Sequence, residues 1–119
     1  MTNITIRQDA NCITMCPYGH SSCAENSEVW TINVKKGYTV TFFNQTPYDL
    51  HVSIPCPDWV QPTRFNLKAK TEDEVDRNGI RVLQTAEPGD ECDITITSTD
   101  INGPNQCGGP NVKPKMKVT

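Results

Sequence analysis

Apolar and polar residues alternate along several short stretches of this chain, and a period of two is typical of β-strands. Ile4 and Ile6 share one face of the first stretch. Two longer stretches flank residues 35–37, Lys-Lys-Gly, which we interpret as a hairpin turn. The apolar positions of these two stretches are Trp30, Ile32 and Val34 before the turn and Tyr38, Val40 and Phe42 after it. The pattern therefore predicts a chain built mainly from short strands.

Prolines and glycines divide the rest of the chain into further short elements. The sequence predicts strands near residues 50–54, 65–69, 80–83, 92–98 and 115–119. The acidic residues 71–77 predict either a single helical turn or a solvated loop. About eight short strands without a long helix are typical of a sandwich or barrel. We therefore expect residues 1–119 to form a single all-β domain, a Greek-key β-sandwich of about eight strands.

Charge and hydropathy argue against several classes of function. The 119 residues carry a formal net charge of -3, and the lysines and arginines form no cluster that would bind nucleic acid. No apolar run approaches the roughly 20 residues that a membrane-spanning helix requires. No nucleophile elbow, phosphate-binding loop or His-Glu-x-x-His motif is present, so we do not expect an enzyme. The sequence does not predict an oligomeric state.

Six cysteines are many for a chain of this length, and they allow two interpretations. One is a disulfide framework in an exported protein, and the other is a metal site built from thiolates. Export would place the protein in a periplasm or outside the cell, with its signal peptide absent from this chain. Two glycosylation sequons, Asn3-Ile-Thr5 and Asn44-Gln-Thr46, are patterns too short to decide the compartment.

Residues 34–44, Val-Lys-Lys-Gly-Tyr-Thr-Val-Thr-Phe-Phe-Asn, are followed by a short loop and then by His51. This order resembles the cupredoxins, the small blue-copper proteins, in which a histidine at this place binds copper. The resemblance covers residues 29–119 and implies a cupredoxin-like sandwich. The loop at residues 100–114 departs from the family pattern, because it contains Cys107 but no histidine or methionine. Resemblance to the plant-type branch of the family also implies a disulfide between Cys56 and Cys107.

The densest group of potential metal ligands is the Cys-His segment, residues 12–23, which reads Cys-x3-Cys-x3-His-x2-Cys. The spacing resembles the ligand loop of the dinuclear copper domain in cytochrome oxidase subunit II and nitrous oxide reductase. By that resemblance, Cys12 and Cys16 would bridge two copper ions. His20 would bind one of the ions and His51 the other, and Cys23 stands where the family has methionine.

Strand direction predicts where these residues meet. The hairpin at residues 35–37 lies at one end of the sandwich, so the chain enters and leaves this hairpin from the other end. We therefore expect the Cys-His segment, His51, Cys56 and Cys107 to converge at that other end. Cys92 would then lie alone at the hairpin end as a buried thiol.

Three functions from different classes stay open. The first is a copper protein for electron transfer or copper carriage, with a redox or copper-transfer protein as its partner. The second is a copper-less, disulfide-stapled sandwich that binds a protein or a glycan through its loop-rich end. The third is a zinc-stapled domain, in which Cys12, Cys16, His20 and Cys23 form a tetrahedral site.

Overall fold

The computed structural model describes residues 2–9, 11–17, 31–99, 103–106 and 114–119, and these residues form an all-β sandwich. None of the described residues is helical, and accordingly none of them forms a helix that could span a membrane. The described ranges contain twelve strands in three sheets, which confirms the predicted fold class with more strands than expected. The additional strands include pieces of two residues, which are too short to display an alternating pattern.

The strands are, in chain order, β1 (Thr2–Asp9), β2 (Cys12–Pro17), β3 (Thr31–Val34), β4 (Thr39–Asn44), β5 (Leu50–Ser53), β6 (Val60–Gln61), β7 (Arg64–Leu67), β8 (Arg77–Val82), β9 (Glu91–Asp93), β10 (Thr95–Ser98), β11 (Asn105–Gln106) and β12 (Lys115–Val118).

The largest sheet has six strands in the order β11-β2-β1-β4-β8-β6. Strand β1 runs parallel to β4, whereas β2 and β8 run antiparallel to β1 and β4 respectively. Burial alternates along β4, because Val40 and Phe42 face the core while Thr39 and Thr41 are half-buried on the outer face. The period of two that is visible in the sequence is thus the division between the inner and outer faces of this sheet.

Two three-stranded sheets complete the fold, in the orders β10-β5-β7 and β3-β12-β9. Buried side chains from all three sheets form one hydrophobic cluster. Within this cluster the rings of Phe42 in β4 and Phe65 in β7 lie with their centroids 5.6 Å apart, in a tilted arrangement typical of aromatic pairs. The sheets therefore pack face to face around a common core.

Asn44 at the end of β4 connects the two layers through its buried side chain. Its Nδ2 donates hydrogen bonds to the carbonyl oxygens of Tyr48 and Lys68, each at 2.8 Å. Its Oδ1 accepts hydrogen bonds from the backbone N–H and the hydroxyl of Thr46, at 2.9 and 2.6 Å. The amide is fully satisfied without water, and it fixes the turn that leads from β4 into β5.

A side chain of β11 covers the outer edge of β10. The Oε1 atom of Gln106 accepts a hydrogen bond from the backbone N–H of Ile96 at 3.1 Å, and its Nε2 donates to the carbonyl oxygen of Ile94 at 3.0 Å. The side-chain amide thereby bonds to β10 as a neighbouring strand would. Because β11 also pairs with β2, Gln106 links the six-stranded sheet to the sheet that contains β10.

Residues 71–77, for which the sequence predicts either a helical turn or a loop, contain no helical turn. The backbone N–H of Glu74 donates to the hydroxyl of Thr71 at 3.1 Å, and the N–H of Thr71 donates to the carbonyl oxygen of Glu74 at 3.0 Å. These reciprocal bonds close a local turn in an exposed loop, and β8 begins directly afterwards at Arg77.

Candidate functional site

Cys12 and Cys16 lie in strand β2, which corrects the expectation that the beginning of the Cys-His segment is a loop. Ile13 and Met15 of the same strand are buried in the hydrophobic cluster, so the two cysteines lie on the opposite face. Residues four apart along a strand are separated by about 13 Å between their Cα atoms. Two sulfurs at that separation cannot bridge the same pair of copper ions.

Both of these cysteines are disulfide-bonded, and none of the cysteines within the described ranges is free. Cys12 and Cys16 cannot be bonded to each other, because a disulfide requires Cα atoms closer than about 7 Å. Copper and zinc bind cysteine as the thiolate, which a disulfide does not provide. In this oxidised form, neither sulfur is available as a metal ligand.

Cys56 and Cys92 form a disulfide whose Cα atoms are 6.2 Å apart. This bond corrects two expectations: the pairing of Cys56 with Cys107, and the presence of a lone buried thiol at Cys92. Cys92 lies near the turn at residues 35–37, as strand direction predicts, because β12 runs parallel to β3 and the N–H of Gly89, just before β9, donates to the carbonyl oxygen of Val118 at the end of β12 at 2.8 Å. This turn joins β3 to β4, which belong to different sheets, so the prediction of a hairpin at residues 35–37 is wrong.

The direction of β5 explains why the predicted location of Cys56 is wrong. Strand β5 begins at Leu50, near the end of β4, and runs back toward the end of the molecule that holds the turn at residues 35–37. Cys56 follows the last residue of β5, Ser53, by three positions, so the chain has already reached that end when it arrives at Cys56. The prediction that Cys56 lies at the same end as His51 is therefore wrong.

His51 lies in β5 between Asn66 of β7 and Thr97 of β10. Its side chain is half-buried on the outer face of this sheet, since the neighbouring residues Leu50 and Val52 face the core. The imidazole Nδ1 lies 2.9 Å from Oδ1 of Asn66, and it is the donor of this hydrogen bond because an amide oxygen only accepts. One ring nitrogen of His51 is thus occupied by a protein contact.

Cys12 and His51 lie toward the same end of the molecule, as strand direction predicts, but they belong to different sheets. Cys12 pairs with Asp9, which is three residues beyond the point where Ile6 lies beside Asn44 at the end of β4. His51 lies one residue into β5, which begins after the turn that Asn44 fixes.

The described residues do not assemble the donor set that the copper resemblance implies. No group of three or more His, Cys, Asp or Glu side chains that could hold a metal ion occurs within the described ranges. His20, Cys23 and Cys107 lie outside the described residues. The copper and zinc sites therefore stay predictions, and the described cysteines do not fit them, because they are oxidised.

The two glycosylation sequons differ in accessibility. Asn44 is fully buried, and both polar atoms of its amide are engaged in hydrogen bonds, so the folded chain has no room for a glycan there. Asn3 in β1 is exposed. Of the two asparagines, Asn3 alone presents an accessible side chain.

The outer face of the six-stranded sheet carries a shallow groove that the sequence argument missed. We call it the arginine groove, and its volume is about 340 Å³. The side chains and backbone that line it include Thr39, Thr41, Gln61, Arg77, Gly79 and Arg81.

The floor of the arginine groove is set by a glycine between two arginines. Arg77, Gly79 and Arg81 lie on the outer face of β8, since Ile80 and Val82 are buried. Gly79 lies opposite Thr41 of β4, and a Cβ atom at position 79 would collide with the carbonyl oxygen of Val40. Glycine is therefore required by the close approach of the two backbones, and its missing side chain leaves the space between the guanidinium groups open.

A second depression, the proline cleft, adjoins the arginine groove. It has a volume of about 640 Å³, and Gln61 lines both depressions. The residues that line the proline cleft include Pro57, Val60, Gln61, Pro62, Arg64 and Leu83. The surface around β6 thus combines an apolar cleft with a polar, basic groove.

The charge of this surface is opposite in sign to that of the whole protein. Arg64, Arg77 and Arg81 are three of the four arginines in a chain of net charge -3. Among the described residues, no side chain forms an ion pair or a hydrogen bond with these three guanidinium groups. Glu91 pairs instead with Lys115 and Lys117 of β12. Within the described part of the chain, their donors therefore have no protein partner and can bind an oxyanion from solution.

The spacing of two arginines in the sequence is a signal for this site. In the run Arg77-Asn-Gly-Ile-Arg81, the two arginines have the same parity and would share a face of a continuous strand. The acidic segment that the sequence predicts, residues 71–77, includes Arg77, and the predicted strand begins only near Ile80. The partner residues from β4 and β6 could not be found in this way, because strand pairing brings them together.

No protein-family model matches this chain, and no curated protein shows significant sequence similarity to it. Function is therefore inferred from the oxidised cysteines and from the surface around β6.

Proposed function

We propose that this protein is a disulfide-stapled β-sandwich that binds a protein or a glycan and works outside the cytoplasm. The observation that carries the proposal is the oxidised state of Cys12, Cys16, Cys56 and Cys92, the four described cysteines. Disulfides persist in oxidising compartments and are rare in the cytosol. This favours a periplasmic or secreted protein and the second of the three functions open at the sequence level.

The competing metal functions need the same cysteines in another chemical state. A dinuclear copper site requires Cys12 and Cys16 as neighbouring thiolates, and a zinc site requires them as two of its four ligands. Their oxidation and their spacing along β2 both favour a structural role for the two residues.

Among the described residues, the surface around β6 is our candidate for the binding surface. At the loop-rich end, the described residues form a depression of about 300 Å³ beside Tyr48 and Thr99. The proline cleft is about 640 Å³ and continues into the arginine groove, so together they offer a larger concave area. A cleft that combines apolar walls with a few polar groups is a common form of ligand site.

Metal content and a visible spectrum test the proposal. The protein is purified without chelator, its copper and zinc are measured, and copper is then added to the native and the reduced forms. We expect native protein without stoichiometric metal and without colour on copper addition. Stoichiometric copper in the native protein, with a thiolate-to-copper charge-transfer band that Cys12→Ser abolishes, would establish the copper function instead.

A further inference from the structure

We infer that the arginine groove binds an acidic glycan, meaning a polysaccharide that carries sulfate or carboxylate groups along its chain. This inference rests on the proposed function, and it adds the class of ligand and the residues that bind it. The observation that carries it is the pair of exposed arginines, Arg77 and Arg81, on either side of Gly79 and without a described acidic partner.

Arginine is the side chain best suited to this ligand. Its planar guanidinium presents donors in a fork that matches the oxygens of a carboxylate or a sulfate, and its charge is permanent. Arg77 and Arg81 are separated by about 13 Å along β8. That separation fits two anionic groups on one extended chain better than it fits a single small ion.

The groove between the arginines offers neutral polar groups to the rest of such a chain. Thr39 and Thr41 contribute hydroxyls that both donate and accept, and Gln61 contributes an amide at the side of Arg81. Gly79 keeps the floor low, so a sugar ring can approach the sheet between the two guanidinium groups. The groove is open along its length, as a polymer requires.

An acidic peptide could use the same charges, but the edge of β8 is closed to the usual way in which peptides bind sheets. Peptides commonly add as a strand to a free sheet edge. Here β6 pairs with Arg81 and Val82, and the N–H of Gly79 is bonded at 2.8 Å to the side-chain oxygen of Asn78. A glycan has no backbone amides that need a partner strand, and it can lie across the face of the sheet.

Binding to dextran sulfate, measured by calorimetry at low and physiological salt, tests the inference, with uncharged dextran and poly-glutamate as comparison probes. The test variant is Arg77→Gln with Arg81→Gln, and the matched control is Lys35→Gln with Lys36→Gln, which removes the same charge from the exposed turn between β3 and β4. We expect dextran sulfate to bind the native protein and the lysine variant alike. The arginine variant should bind it about tenfold more weakly, because two charge-assisted contacts are lost.

A third variant, Arg77→Lys with Arg81→Lys, keeps the charge but loses the planar fork. We expect it to bind with intermediate affinity, and circular dichroism confirms that all variants are folded. Three results would each overturn the inference: no binding of dextran sulfate at low salt, equal loss in the arginine and lysine variants, or binding of poly-glutamate as tight as that of dextran sulfate. The last result would assign the groove to acidic peptides.

The outcome is separable from the test of the proposed function. If the protein does not bind dextran sulfate and also stays colourless with copper, this inference is wrong and the proposed disulfide-stapled binding function stands. If the protein binds copper through Cys12, the proposed function is wrong, whatever the affinities of the arginine variants for dextran sulfate.

Discussion

The amide of Asn44 makes four hydrogen bonds to groups from two separate turns, although it is fully buried. Replacing it by alanine leaves the carbonyl oxygen of Lys68 and the backbone N–H of Thr46 without the partner that Asn44 provides, whereas the carbonyl oxygen of Tyr48 keeps the hydroxyl of Thr46 at 3.3 Å. We expect Asn44→Ala to lower the free energy of unfolding by about 3 kcal/mol, because each orphaned buried group costs a desolvation penalty.

Chemical denaturation measures this loss, and Asn33→Ala in β3 is the matched control. Asn33 is exposed, so its replacement should change stability by less than about 0.5 kcal/mol. An Asn44→Ala protein as stable as the control would show that the amide does not fix the turn into β5.

Gly79 is fixed by the close approach of β8 to β4. We expect Gly79→Ala to destabilise the fold by about 2 kcal/mol, because the new methyl group collides with backbone, which can move only together with the sheet. Thr41→Ala, on the facing position of β4, serves as the control and should cost less than about 1 kcal/mol. Thermal unfolding of both variants decides between them: an alanine tolerated at position 79 as well as at position 41 contradicts the packing described for β8.

Among the described residues, Gln106 bonds to the edge of β10 through its side chain. Gln106→Ala removes both hydrogen bonds to Ile94 and Ile96, while the backbone pairing of β11 with β2 stays possible. We expect faster hydrogen exchange at the amide of Ile96 and a loss of about 1–2 kcal/mol in stability. Asn105→Ala, an exposed neighbour, should leave the exchange rate of Ile96 unchanged. If Ile96 exchanges equally slowly in both variants, the side-chain amide does not protect this edge.

The Cys56–Cys92 disulfide joins the segment after β5 to β9 across a sequence separation of 36 residues. Closing a loop of this length restricts the unfolded chain enough to contribute about 4 kcal/mol on the chain-entropy model. We therefore expect the double variant Cys56→Ser with Cys92→Ser to unfold at markedly lower denaturant concentration.

The two single variants control for the loss of each sulfur and should match the double variant, since either one removes the bond. Equal stability of the double variant and the native protein, both measured without reductant, would contradict a stabilising role for this disulfide.

Alternation predicted elements that have one face in the core, among them β1, β3 and β4. It missed β2, although Ile13 and Met15 alternate with the cysteines, because those cysteines were taken first as potential ligands. Strands of two residues, such as β6 and β11, have no period to detect. The alternating pattern also does not predict which cysteines pair, because the partner of Cys56 depends on where the chain lies in the fold after β5.

At the scale of the whole molecule, all three sheets share one core, and the candidate binding surface lies on the outside of the largest sheet. Strand direction correctly predicted that Cys12 and His51 lie toward the same end, but it could not assign them to sheets. The arginine groove requires β4, β6 and β8 to be neighbours, and that order follows from the assembled topology rather than from any local run of residues.

The proposed function depends most directly on the chemical state of the cysteines in the native protein. In the experiment, the protein is exported into an oxidising compartment and purified. It is then denatured in the absence of reductant, alkylated, digested and analysed by mass spectrometry. We expect no alkylated cysteine before reduction and all six after it. The cross-linked peptides should join Cys56 to Cys92, and Cys12 and Cys16 should each be found in a cross-linked peptide. Alkylation of both Cys12 and Cys16 before reduction would contradict the account, because it would restore the thiolates that the copper function needs.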